Sequence, residues 1–307
     1  MRYTDYTSIL RNKFAGRVQK ITVNAGFTCP NRDGTKGTGG CTYCNNQTFS
    51  PEYCQSSKPV GEQIAEGIGF FKHKYEAQKY LVYFQSYTNT YGEFSHLKTL
   101  YEEALAQPNV IGLVIGTRPD CVSDELLNYF AGVAKKYYVM IEYGIESTND
   151  ETLAFINRGH SFADAEDAIL RTAARGIFVG AHLILGLPHE SREMILSHAD
   201  KISKLPIYAL KMHQLQLVKG TKMAAQFAEN PEIFHLYKLD EYIDLAIDFL
   251  ERLSPAIAIE RFVSQSPYKL LIAPDWGVKN FEFVEKINRR LVERDSFQGK
   301  LYKIYLK

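Results

Sequence analysis

No stretch of this chain comes near the roughly 18 consecutive apolar residues that a membrane-spanning helix requires. The N-terminus, MRYTDYTSILRNKFAGR, has no long apolar segment of the kind a secretory leader carries. The expectation is therefore a cytoplasmic protein. Net charge is nearly absent as well: 36 Lys and Arg face 35 Asp and Glu, leaving +1, so no global field advertises nucleic acid as a partner. A local surplus survives at the end, where residues 279–307 carry eight basic side chains against four acidic ones, read first as a solvated face. Cysteine occurs only five times, mostly toward the N-terminus. An odd, small, clustered set argues against a secreted disulfide framework and for thiolates used as ligands.

What the chain does have is alternation. Apolar, β-branched or aromatic runs at 19–25, 80–85, 110–116, 137–145, 177–185 and 208–218 read as six strands. Helical patterns separate them. In the segment 60–75, Ile64, Ile68, Phe71 and Tyr75 recur at helical steps on one face. Further helices are expected at 95–106, 123–136, 150–175 in two pieces, 191–204 and 234–253. Near-continuous apolar strands joined by helices imply a parallel sheet buried on both faces. Residues 254–307, with a turn APDWG, a helix at 280–294 and a last apolar strand at 301–306, read as a C-terminal extension on a core of residues 1–253.

The run CPNRDGTKGTGGCTYC spans Cys29 to Cys44. Cys41 and Cys44 form a C-x2-C pair, Cys29 lies in the loop after the first strand, and Cys54 follows ten positions later. Four thiolates would close a tetrahedral zinc site, the basis of a zinc-stabilised binding module. Three would hold three irons of a [4Fe-4S] cluster and leave one open to a small molecule. The four glycines between Cys29 and Cys41 let the backbone wrap a bulky group closely. Cys54 reads first as packed or exposed, and otherwise as a fourth ligand or a substrate-facing thiol; Cys121, after the third strand, reads as simply buried.

These residues resemble the radical S-adenosylmethionine (SAM) superfamily. Its signature is C-x3-C-x-aromatic-C; here the first gap is widened to eleven residues, as in the branch related to the Elongator catalytic subunit, and Tyr43 stands before the last cysteine. The resemblance implies a partial (β/α)6 TIM-type barrel with Cys29, Cys41 and Cys44 as cluster ligands. It also implies reductive cleavage of SAM to a 5'-deoxyadenosyl radical, with flavodoxin or ferredoxin as electron donor. IEYGIESTNDETLAFINRGH (141–160) is similar to the fourth-strand segment of Elongator-like and coproporphyrinogen-dehydrogenase-like members. That match gives Glu146 to the SAM ribose or amino-acid portion and Arg158 to its carboxylate. HLILGLPHE (182–190) resembles the fifth-strand segment. There Gly186 would let adenine approach the backbone and His182 stands where ribose is held. Thr88, Asn89 and Thr117, at the ends of the second and third strands, are candidates for the methionine amino group.

The relationship further implies tRNA as substrate, with tailoring of a substituent at carbon 5 of the wobble uridine. Lys211, His213 and Lys219 on the sixth strand, and Arg289, Arg290 and Arg294 in the tail, are the side chains expected to meet phosphates. The alternative is a radical SAM enzyme acting on a peptide or small metabolite.

Overall fold

The computed structural model describes residues 1–48, 51–72 and 78–303. Seven strands form one parallel sheet in the order β1 (Val18–Val23), β2 (Lys79–Phe84), β3 (Val110–Thr117), β4 (Tyr138–Glu146), β5 (Phe178–Leu185), β6 (Ala209–Gln214) and β8 (Ala258–Arg261). Each strand follows its sequence neighbour through a helix. The intervening helices are α2 (Val60–Lys72), α3 (Phe94–Leu105), α4 (Asp124–Ala134), α5 (Asp150–Phe155), α6 (Phe162–Ala173), α7 (Arg192–Ile202) and α9 (Leu239–Arg252). Serines at 123, 161 and 191 cap α4, α6 and α7 by accepting from the third helical amide, so these helices begin where the sequence supplies a cap. On α2, Ile64 is fully buried and Ile68 and Phe71 pack half-buried on the core; Tyr75 lies outside the described residues.

The sheet is curled. Lys20 on β1 bonds both Glu142 on β4 and Glu260 on β8, each at 2.7 Å, contacts that a flat seven-stranded sheet could not make. The large core lies between the sheet and its helices. A smaller cluster, including Leu81, Tyr83, Val114 and Met140, fills the barrel floor, where α1 (Tyr6–Lys13) inserts Tyr6 and Leu10. Tyr6 and Tyr138 join hydroxyls there at 3.0 Å.

Several expectations are corrected. The sheet has seven strands, and the seventh, Ala258–Arg261, comes from the segment expected to lie outside the barrel. The run 208–218 is two elements: β6 ends at Gln214, and β7 (Leu217–Val218) pairs antiparallel with β9 (Leu271–Ala273). Two helices escaped the sequence pattern, α1 and α8 (Lys222–Glu229), both eight residues long and too short for a sustained period. Leu301–Lys303 are not strand, and the rest of the expected last strand lies outside the described residues. Among the described residues no helix is long and apolar enough to cross a membrane.

Candidate active site

The site begins where β1 gives way to a long loop. Two glycines there are needed for close approach: a Cβ on Gly37 would strike the Asn31 carboxamide, and one on Gly40, at φ +74°, would sit 2.8 Å from Arg32 Nε. The loop is fastened to the segment after α5. Asn31 Nδ2 donates to Asn157 O at 2.6 Å, Asn157 Nδ2 donates to Gly40 O at 2.8 Å, and Thr42 N donates to Ile156 O at 2.9 Å. This tether sets the three cysteines. Cys29, Cys41 and Cys44 all line one cavity, at the carboxyl ends of the strands.

Cys54 and Cys121 stand outside that lining. Cys54 Sγ donates to Thr22 O at 2.9 Å, and burial pushes its thiol up to about 12. Cys121 is likewise raised to about 12, by burial and then by Asp120. Neither is a thiolate at neutral pH. Burial, with Cys41 beside it, also raises the Cys44 thiol, while Arg32 pulls the other way. Among the described residues no three His, Cys, Asp or Glu side chains are grouped to hold a single metal ion. A cubane does not require that, since each thiolate takes a different iron.

β4, whose end lines the same cavity, finishes in a bulge between Gly144 and Glu146. Glu146 adopts φ +70°, a strained value for a non-glycine residue, and the bulge turns its side chain into the cavity. Arg158 reaches in from after α5, nearly buried. Its Nη2 donates to Gly144 O at 2.6 Å, its Nη1 to Cys41 Sγ at 3.4 Å, and Glu146 Oε1 lies 3.8 Å away. Its Nε is buried without a partner, as is the Thr88 hydroxyl. Both side chains line the cavity. Three thiols and two unmet polar atoms on side chains lining one cavity fit a thiolate-bound cluster with a polar ligand alongside it.

The other expected residues divide. Tyr43 and Thr117 line the cavity, Thr117 with its hydroxyl 2.6 Å from that of Thr90. His182 also lines it, but its Nε2 donates to Glu142 Oε2 at 2.9 Å. Asn89 and Gly186 do not line it. Asn89 is fully buried with its amide on Gly116 O, and Gly186, at φ +92°, sits under the Tyr237 ring.

Sequence reasoning missed the buried polar network that reaches this cavity through Glu142 and Arg118. Glu142 accepts from Lys20 and Lys211 at 2.7 and 2.6 Å, and Glu260 accepts from Lys20 at 2.7 Å. Burial alone would raise the Glu142 carboxyl, but Lys20, Lys211 and His182 outweigh it and hold it well below the usual range. Arg118 is 2% exposed, donating to Arg158 O at 2.7 Å and to Asp120 at 2.9 Å. Burial alone would raise Asp120; hydrogen bonds from Arg118 and Lys36 bring it down to about 2. The available signal was a charged residue inside an apolar strand run, as in QKITV, MIEYG and AIERF. Lys211 is accordingly corrected: it is a buried ion-pair partner and not a surface lysine facing phosphates. His213 is an interior acceptor for Arg261, whereas Lys219 is exposed.

Comparison with known proteins agrees with this geometry. Residues 29–202 match the family described as the Radical SAM superfamily, and residues 207–293 match the Radical_SAM C-terminal domain. The chain belongs to the radical SAM superfamily. This removes the zinc-module reading of the cysteines. The chain is similar to the protein YtqA of Bacillus subtilis (strain 168), with 34% identity over 98% of this chain and 93% of that one. It is similar to a tRNA uridine(34) acetyltransferase of Dehalococcoides mccartyi (strain CBDB1), with 26% identity over 68% of this chain and 43% of that one. The fold is shared with the archaeal Methanocaldococcus infernus Elp3, solved with residues 1–46 deleted: TM-score 0.69 and 17% identity, over 92% of this chain and 64% of that one. The radical SAM chain thus spans less than two thirds of both the acetyltransferase and the Elp3 structure.

Proposed function

We propose that this radical SAM protein modifies tRNA, tailoring the substituent at carbon 5 of the wobble uridine, with flavodoxin or ferredoxin supplying the electron. The observation that carries the reading is the similarity of two thirds of the chain to a tRNA uridine(34) acetyltransferase. The residues have separable tasks. Cys29, Cys41 and Cys44 would hold a [4Fe-4S] cluster, and Arg158, bound to Cys41 Sγ, would stabilise the thiolate by a charge-assisted bond. Arg158 Nε and the Thr88 hydroxyl would meet polar groups of SAM, and Glu146 would accept from its amino or hydroxyl groups. When bound, the cluster and SAM supply a 5'-deoxyadenosyl radical for removing hydrogen from an unactivated carbon. The surrounding strands and the loop that ends at Cys44 would help shield that chemistry from water.

The test is mass spectrometry of total tRNA nucleosides from a deletion strain, with and without the gene restored. The expected result is an altered wobble uridine that returns to normal on complementation. An unchanged nucleoside profile would pass the substrate to the peptide or metabolite class.

A further inference from the structure

The end of β8 carries an irregularity. The register with β6 shifts between Leu210 and Lys211, so that Lys211 pairs with Arg261 and Glu260 is the extra residue. A bulge of this kind lets two successive side chains reach the same face. Glu260 meets Lys20 at 2.7 Å and Lys211 at 3.2 Å, while Arg261 Nη2 donates to His213 Nε2 at 3.1 Å.

A charge count separates the two. Lys20 and Lys211 are matched by Glu142 and Glu260, two against two. Arg261 is left over. Among the described residues it forms no ion pair with a carboxylate, its Nε is buried without a partner, and it lines the same cavity as the three cysteines. Its single side-chain partner carries no compensating charge. Burial and the Arg261 cation push His213 well below its usual range, so it stays a neutral acceptor. The support is rigid: Gln214 and Ser264 exchange two hydrogen bonds of 2.9 Å, which fasten the chain just beyond Arg261 to the end of β6.

We propose that Arg261 anchors an anion subsite in this cavity, taking a carboxylate or phosphate group of the substrate. A guanidinium offers five N–H donors in a planar fork, and most of those on Arg261 remain for an incoming pair of oxygens. An anion there would also supply the counter-charge that a part-buried cation lacks. The subsite stands whether or not the substrate is tRNA, because it rests on the cavity and not on the nucleic-acid reading.

The test uses cluster-reconstituted protein with SAM bound, titrated separately with acetate and with inorganic phosphate. The His213 ring resonances, assigned by their loss in His213→Gln, are followed by NMR. A saturable shift is expected with at least one anion, acetate marking a carboxylate group and phosphate marking a phosphate. Arg261→Gln is expected to weaken that affinity on the order of tenfold to a hundredfold, with Arg261→Lys between the two. No saturable shift with either anion, or equal affinity in Arg261→Gln and wild type, overturns the proposal. So does displacement of SAM by the anion, which would assign Arg261 to the cofactor.

Discussion

His160, two positions beyond Arg158, donates from Nδ1 to Ser161 O at 3.0 Å and leaves Nε2 buried without a partner. Burial first, and the Arg158 cation second, push its imidazole down to about 3. Below pH 6.5 the unfolded chain therefore binds a proton that the folded chain refuses. Stability is intact above pH 6.5 and falls as the pH drops toward 3. At pH 5 the loss through His160 alone is about 2 kcal/mol relative to pH 7. His213 acts in the same direction. His160→Gln should flatten this acid limb without abolishing it, as measured by denaturant unfolding at pH 7 and pH 5. Identical pH dependence in the two proteins would show that His160 is protonated in the fold. Residues of this kind were not legible in advance. The cysteine spacing is local and could be read directly, whereas the state of His160 depends on Arg158 and on burial that only the folded chain creates.

At the scale of elements, helix α10 (Asn280–Glu293) shows where a sequence pattern informs and where it misleads. Its period was legible, and Phe283, Ile287 and Leu291 are fully buried. Its arginines were expected to face phosphates; Arg290 and Arg294 instead reach across to α9. Arg290 bonds Asp244 and Arg294 bonds Asp248, both at 2.5 Å. Arg289 is the exposed one, its side chain 70% accessible and 3.6 Å from Glu293. A basic surplus in sequence says nothing of the acids that another helix will bring beside it. The apolar face should dominate the docking of α10. Phe283→Ala is expected to cost about 3–5 kcal/mol and Arg290→Ala about 1 kcal/mol or less, since its pairs are partly solvated. Chemical denaturation of both variants checks the ranking, and equal losses would contradict it.

For the whole molecule, the alternation of strands and helices made the parallel barrel legible, because strands buried on both faces must be apolar throughout. The seventh strand was hidden by its length. Ala258–Arg261 has four residues, two of them charged, and only the bonds from Lys20 and Lys211 to Glu260 explain why charge belongs there. The curl of the sheet brings the loop after β1, the bulge of β4 and the end of β8 onto one cavity. On this arrangement the cavity would hold a [4Fe-4S] cluster through three thiolates and no fourth. Iron and sulfide content after anaerobic reconstitution, measured across the five single Cys→Ala variants, tests it most directly. About four irons per chain are expected in wild type, Cys54→Ala and Cys121→Ala, with the cluster lost in Cys29→Ala, Cys41→Ala and Cys44→Ala. Stoichiometric zinc without iron in the wild-type protein, or loss of the cluster in Cys54→Ala, would contradict it.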